Sequence, residues 1–345
     1  MSRSDRTKRS EKRATISDVA KAAGAGKTSV SRYLNGEQNS LSDSLKLRIE
    51  QAICTLNYRP SQMARSLKGG RTRLIGLIIA DITNPYSIDI LRGVETACRN
   101  HGFTVLVCNT NNEVNQEQHY LQLLSGYCVE GIVVNAVGMR EEALSKLQHS
   151  QLPMVLIDRK IPDFTCDMVS LDNRQAATLA TEHLLEQGFE ALLFISEPVQ
   201  CVNTRLERLQ AFRDKMAQFP ELSAETVEVV LTESEQIDAT VRSFAHRHRG
   251  MSKAIISVNG ALTLQIALSM RRLGVQWGND IGLLGFDELE WAEIAGVGIT
   301  TLRQPTYQIG YTALEKLLAK IHGENTTPTE HLFPGELIIR GSTQR

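Results

Sequence analysis

At 345 residues, with 42% hydrophobic and 22% charged side chains, the chain has ample core for two or three domains and the composition of an ordinary soluble protein. No apolar run approaches the roughly 20 residues that cross a bilayer, and the basic start MSRSDRTKRSEKR has no apolar core of a signal peptide, so a cytoplasmic protein without a membrane partner is expected. The net charge of −1 hides a division: residues 1–73 hold 16 Lys and Arg against 6 Asp and Glu, and the rest holds 22 against 33, so phosphate suits the head while the anionic body would not lie along a duplex.

Residues 1–14 read as a disordered basic arm, able to brush phosphates or simply to stay solvated. Residues 15–60 read as a helix-turn-helix domain. Thr15 caps a first helix with Asp18 three residues on, a short capping box. Ile16, Val19, Ala20 and Ala23 share one face. Gly24-Ala25-Gly26 makes a tight turn. A second helix runs from about Lys27 to Asn35 with Val30, Tyr33 and Leu34 inward, and a third, about Ser42 to Leu56, buries Leu45, Ile49, Ala52, Ile53 and Leu56. Two short helices joined at a glycine turn and braced by a third form a DNA-binding head. In such a unit the start of the second helix faces base edges in the major groove, here Lys27, Thr28, Ser31 and Arg32. Arg and Lys favour guanine, and Thr28 offers a methyl or a hydroxyl. Gly26-Lys27-Thr28 imitates the end of a phosphate-binding loop, but Lys21 stands where its first glycine belongs and no apolar strand precedes it.

Asn57-Tyr58-Arg59-Pro60 ends the head. Residues 61–70 form a hinge or linker in which Ser61 to Lys68 can make two helical turns, with Ala64 and Leu67 on one side. Eight residues are too few for a stable helix alone, since roughly 12–15 are marginal in water. Residues 71–345 then alternate apolar runs with helical segments. LIGLIIA (74–80), TVLVCNT (104–110), GIVVNAV (131–137) and MVLIDR (154–159) make one set. ALLFIS (191–196), VEVVL (227–231), AIISVN (254–259) and IGLLGFD (281–287) make a second, with helices around 174–187, 205–218, 236–247 and 262–272. The runs have the length and composition of strands buried on both faces. The expected fold class is α/β, with two doubly wound lobes in tandem and a ligand cleft between them.

The six cysteines (54, 98, 108, 128, 166 and 201) lack CxxC spacing, so free thiols in a reducing compartment are expected rather than disulfides or a metal site. GxGxxG, HExxH and GxSxG are absent, so no catalytic set and no cofactor are expected. His246 and His248 in RSFAHRHRG read as solvated residues at a charged helix end.

The stretches DVAKAAGxxxxSVSRYLNG, NYRPxxxARSL, DITNPY and GFDELE…TTLRQP make the chain, from Thr15 to Ser342, similar to the lactose-repressor (LacI) family of bacterial transcription regulators. Within it, LKGGRTRLIGL and DITNPYS resemble the repressors that respond to 2-ketogluconate. The resemblance implies a helix-turn-helix head joined by a hinge to a two-lobed, periplasmic-binding-protein-like effector domain. It places Ser29, Ser31 and Asn35 toward phosphates. It makes 61–70, with Ala64 and Leu67, a hinge helix that folds when two copies meet in the minor groove, Leu67 matching the wedge between central base pairs. Effector contacts carry over to Tyr86, Asp158, Thr204, Arg208, Asn259, Asp287 and Gln304. Asp158 and Asp287 can instead serve as helix caps, and Gln304 can equally hold crossover backbone. The resemblance also implies three crossings between the lobes, near 160, 290 and 325, with the Thr300–Tyr307 run and helix 306–322 returned to the first lobe.

The chain departs from the family at Ala25-Gly26, where Val-Ser or Val-Thr is usual, at Ala211, usually glycine, and at Gly260, usually aspartate. After ELIIRGS no leucine heptads follow, which favours a homodimer over a tetramer. The function implied is a repressor on pseudo-palindromic double-stranded operator DNA, controlled by a small sugar acid. The alternatives are a neutral sugar or nucleobase effector, a sugar-binding protein without a DNA role, or a nucleotide-dependent enzyme. That enzyme would need a glycine-rich loop where this chain has DITNPY.

Overall fold

The computed structural model describes residues 14–34, 36–58, 71–137, 152–161, 164–200, 202–324 and 327–345. The chain divides into two compact units, Met1–Thr72 and Arg73–Arg345.

The smaller unit holds α1 (Ile16–Ala22), α2 (Lys27–Leu34) and α3 (Asp43–Thr55). The capping box forms: Asp18 Oδ2 accepts the Thr15 amide at 2.8 Å, and the Thr15 hydroxyl accepts the Asp18 amide at 3.4 Å. Val19, Ala20, Ala23, Val30, Ile49 and Ala52 form the buried core, with Tyr33, Leu34, Leu45 and Ile53 packed against it. Gly24 turns the chain at φ +59°, a region costly for a side chain. The expected hinge, 61–70 with Ala64 and Leu67, lies outside the described residues.

The larger unit contains two six-stranded sheets. The first joins β1 (Leu74–Ile79), β2 (Thr104–Asn109), β3 (Gly131–Val134), β4 (Met154–Ile157), β5 (Asp167–Leu171) and a late strand, β11 (Glu330–Phe333), in the order 11-5-4-3-1-2, all parallel. The second joins β6 (Ala191–Ser196), β7 (Ser223–Glu228), β8 (Lys253–Ser257), β9 (Gly282–Phe286), β10 (Thr300–Arg303) and β12 (Glu336–Ile338) in the order 12-10-9-8-6-7, parallel except for β12. Helices α4 (Pro85–Asn100) and α5 (Val114–Gly126) belong to the first lobe. Helices α6 (Asn173–Glu186), α7 (Asn203–Met216), α8 (Ser234–Arg247), α9 (Gly260–Leu273) and the short α10 (Glu290–Ile294) belong to the second. Helix α11 (Thr306–Ile321) returns to the first lobe and packs on α4. The close approach is made by glycines: a Cβ on Gly93 would lie 2.1 Å from the Tyr307 carbonyl oxygen, and one on Gly310 would lie 2.2 Å from that of Ile90.

The crossings differ from the expected ones. The first comes at Asp172, because DMVSL forms β5 and keeps the chain in the first sheet past 160. Its polar residues are paired: Asp167 accepts from Lys320 at 2.6 Å and from the Thr329 amide at 2.9 Å, and the Ser170 hydroxyl donates to the Asp158 carbonyl at 3.3 Å. The second crossing comes at Gln304–Pro305, since Thr300–Arg303 pairs with β9 and stays in the second lobe; only α11 returns. The third comes at Pro334–Gly335, between β11 and β12. The strand expected at 227–231 lies at 223–228, a half-exposed edge position that tolerates the polar SAETVE.

Candidate functional site

In the head, Lys27, Thr28 and Arg32 are exposed, Ser29 and Ser31 are half-buried, and Val30 points into the core. Lys27, Thr28, Ser31 and Arg32 therefore share the outward face of α2, as 3.6-residue periodicity dictates. The Gly26 carbonyl accepts the Ser29 and Val30 amides at 3.0 and 3.2 Å, so glycine opens the helix with its backbone alone. A Cβ there would meet nothing within 4 Å. Asn35, the last residue expected to reach phosphate, lies outside the described residues.

In the larger unit the polar residues expected to hold a ligand gather where the two sheets end, the place open parallel sheets reserve for ligands. Asp158 follows β4 and Asp287 follows β9, and both are left-handed, at φ +64° and +72°. Aspartate is among the few side-chain residues that accept this region, and holding it costs about 1–3 kcal/mol. The Asp287 carboxylate accepts the Gly260 amide at 2.8 Å and the Gln304 amide group at 2.6 Å. It therefore caps α9 and also faces the cleft. Crowding, not the backbone bond, favours glycine at that position: a Cβ would come within 3.2 Å of the Asp287 side chain and 2.8 Å of Leu289.

Arg208, 5% exposed, projects from α7 into the same place. Its Nε donates to Asn173 Oδ1 and its Nη1 to the Val258 carbonyl, both at 2.7 Å, and its guanidinium lies 4.2 Å over the Phe286 ring. Burial pulls its pKa down, and Asp287, Asp158 and the Tyr86 hydroxyl oppose that. Thr204 is buried one turn earlier on α7. Tyr86, in the first turn of α4 behind its cap Asn84, is buried. Burial first, then Asp158 and Asp287, push its hydroxyl well above the usual tyrosine range, so it stays a proton donor.

Of five buried side-chain polar atoms without a well-formed hydrogen bond among the described residues, three are here: Arg159 Nε, Gln304 Oε1 and the Tyr86 hydroxyl, which faces Asp158 without forming a well-aligned bond. Arg159 Nε lies 3.7 Å from Asp158 Oδ2, beyond hydrogen-bond reach. A buried polar atom left unpaired costs about 1–3 kcal/mol, and native folds leave few of them. Three of the five converge on one cleft. Gln304 thus bonds a site carboxylate rather than crossover backbone.

Asn259 is spent otherwise. Its Oδ1 caps α9 by accepting the Leu262 amide at 2.9 Å, and its Nδ2 donates to Glu197 Oε2 at 2.5 Å. Glu197 also holds Arg205 at 2.9 Å. Burial lowers the Arg205 pKa, Glu197 raises it, and the neighbouring Arg159 lowers it again. The sequence reading missed Asn173 and Glu197. Glu197 directly follows β6, and Asn173 lies two residues past the end of β5, so nearness to a strand end was the signal that could have found them. A cavity of about 920 Å³ continues outward from Tyr86, Asp287 and Gln304, walled by Pro85, Ile88, Leu289 and Trp291.

Elsewhere, burial pushes the Cys98 thiol up to about 12 and the Cys166 thiol up to about 11, which keeps both protonated. His246 is exposed as expected, but His248 is not solvated: it packs at 5.0 Å on the Phe244 ring and pairs with Glu225 at 2.6 Å. Among the described residues no group of three His, Cys, Asp or Glu side chains could hold a metal ion, and no helix is long and apolar enough to cross a membrane.

Comparison with known proteins extends this geometry. Residues 15–61 match the family model of bacterial regulatory proteins, lacI family, and residues 72–340 match that of periplasmic binding proteins and the sugar binding domain of the LacI family. The HTH-type transcriptional regulator PtxS of Pseudomonas aeruginosa is 45% identical over 331 residues, 96% of each chain. The HTH-type transcriptional regulator KdgR of Bacillus subtilis is 38% identical, covering 95% of this chain and 97% of that one. Among solved structures, the lac repressor dimer bound to operator and the anti-inducer ONPF aligns with a TM-score of 0.82 at 21% identity, over 97% of this chain and 100% of that chain.

Proposed function

The chain belongs to the LacI family of bacterial regulatory proteins, DNA-binding transcriptional regulators, and from that premise we propose that a small sugar acid seated between its lobes sets its affinity for an operator. The leading candidate is 2-ketogluconate. The protein acts as a cytoplasmic homodimer on a pseudo-palindromic site, as a repressor, and carries no enzymatic activity. Lys27, Thr28 and Arg32 read bases, Ser29, Ser31 and Asn35 hold phosphates, and the hinge residues Ala64 and Leu67 meet their copies in the minor groove. Tyr86, Asp158, Thr204, Arg208, Asp287 and Gln304 bind the effector, while Asn259 supports the wall behind them.

The observation that carries the acid reading is Arg159. A neutral sugar needs carboxylates, amides and one forked cation, and Asp158, Asp287, Gln304 and Arg208 already supply these. Arg208 faces two carboxylates and Arg205 is held by Glu197, so neither has charge to spare. Arg159 is also ion-paired, with Asp158 at 3.7 Å, but that pair leaves its buried Nε–H without a hydrogen-bond acceptor among the described residues, the donor that a carboxylate would take.

Ligand and operator binding are linked through a coupling free energy: an effector that prefers one arrangement of the lobes shifts the population that can hold DNA. Calorimetric titration of 2-ketogluconate, gluconate, glucose and a purine base into the full chain tests the effector. Heat from an acid and none from glucose or the purine is expected. Binding of glucose or the purine, with no heat from either acid, refutes the sugar-acid reading and leaves the regulator intact.

A further inference from the structure

The support behind Arg208 crosses from one lobe to the other. Asn173 is 2% exposed and opens α6 directly after Asp172, where the chain first leaves the first sheet for the second. Its Nδ2 donates back to the Leu171 carbonyl, the last residue of β5, at 3.2 Å, and to Glu207 Oε2 at 3.3 Å. Its Oδ1 accepts from Arg208 Nε at 2.7 Å. One amide group thus grips the end of a first-lobe strand with one side and the second-lobe guanidinium with the other. The same crossover is tied to the third, because the Asp172 amide donates to the Phe333 carbonyl at 2.7 Å and the Gly335 amide to Gln175 Oε1 at 3.3 Å.

A guanidinium is planar, so two fixed acceptors and a stacked ring define where its remaining N–H groups point. Asn173 supplies one of those acceptors, and Val258 and Phe286 supply the rest of the seat. Without Asn173, Arg208 still faces the Asp158 and Asp287 carboxylates. The guanidinium would then turn toward them, away from the space a ligand occupies. A rotation of the lobes about this crossover would change the geometry of the Asn173 amide relative to Leu171 or to Arg208, because it bonds both.

We propose that Asn173 is a positioning residue through which the first crossover sets the aim of Arg208, so that lobe rotation and ligand contact are coupled at a single side chain. The proposal rests on the reading of this cleft as the effector site, and it concerns a residue that itself touches no ligand.

Two readouts test it, one needing no ligand. In protein labelled with ¹⁵N-arginine, the Arg208 Nε–H resonance is assigned by its absence from the Arg208→Lys variant. It is expected to exchange slowly with water in the wild type and rapidly in Asn173→Ala. In calorimetry with 2-ketogluconate, Asn173→Ala is expected to weaken binding by about 10- to 150-fold, the factor that loss of a hydrogen bond to a charged group corresponds to. The double variant Asn173→Asp with Glu207→Gln keeps an acceptor for Arg208 and a partner for residue 207 but has no donor for the Leu171 carbonyl, so it should recover slow exchange. Slow exchange persisting in Asn173→Ala overturns the proposal. So does a double variant that melts as the wild type does and still exchanges rapidly at Arg208 Nε. If the wild type itself takes no heat from 2-ketogluconate, the effector assignment fails and the exchange measurement decides the role of Asn173 on its own.

Discussion

Replacing Arg208 by lysine separates the charge of the guanidinium from its shape. The native side chain is 5% exposed, bonds two acceptors at 2.7 Å and lies over Phe286. Lysine keeps a cation opposite Asp287 and Asp158, which avoids the roughly 3–5 kcal/mol lost when a buried charge pair is broken by removing one partner. The ammonium reaches only one of the two acceptors and presents no planar fork. One charge-assisted hydrogen bond is therefore lost within the protein, about 1.5–3 kcal/mol of stability. The forked contact to ligand is lost as well, a comparable amount that weakens binding by about 10- to 150-fold. Thermal unfolding and calorimetric titration with 2-ketogluconate read the two losses separately. Arg208→Ala should abolish the ligand response altogether. A lysine variant that binds ligand with wild-type affinity would refute the role given to the fork, and an alanine variant that still responds would refute the role given to the charge.

In the head, Arg32→Ala should cost about 1–3 kcal/mol of operator binding and relax one symmetric base position, whereas Leu67→Ala should weaken operator far more than random DNA. Salt-dependent binding and footprinting measure both, and equal losses on the two DNAs would contradict the wedge assigned to Leu67. Gly310→Ala should lower the unfolding midpoint markedly, because its Cβ would lie 2.2 Å from the Ile90 carbonyl oxygen and force α4 from α11; an unchanged midpoint would count against that packing. His183, buried against Thr343 at 2.7 Å, has a pKa below the usual 6.5 because burial disfavours its charged form. The unfolded chain then binds the proton more readily, so stability is full above pH 6.5 and falls as pH drops below it toward the folded-state pKa. Melting between pH 8 and pH 5 should show a larger loss for the wild type than for His183→Gln, and parallel curves would dismiss the effect.

The head was legible because each of its helices carries its own start signal and a one-sided apolar stripe; α2 and α3 lie within a residue of their expected bounds. Interior strands such as ALLFIS, buried along their whole length, announce themselves as uninterrupted apolar runs. Strand β5 does not, because Asp167 and Ser170 are buried in it with partners far along the chain, Lys320 and Thr329 for one and the Asp158 carbonyl for the other. That hidden strand displaced the first crossover. Strand β10 misled for a related reason: TTLR pairs with β9, although the helix right after it belongs to the other lobe. In the cleft, Tyr86, Asp158, Arg208, Asp287 and Gln304 come together from positions as much as 218 residues apart, and it was the family resemblance, not periodicity, that named them. What periodicity cannot tell is which polar group is already spent. Asn259 is committed to a cap and to Glu197, while Arg159 keeps an unused N–H.

Head and cleft act together when a sugar acid alters the hold on a specific DNA site. Selection from random duplexes by the full chain should yield a pseudo-palindrome, and fluorescence anisotropy on that duplex then gives operator affinity with and without each ligand. The account predicts that saturating 2-ketogluconate changes the affinity at least about tenfold, within the usual range of allosteric coupling. Glucose should leave it unchanged, and Arg208→Ala should erase the difference. An operator affinity that is the same in the presence of 2-ketogluconate, gluconate, glucose and a purine base would contradict it.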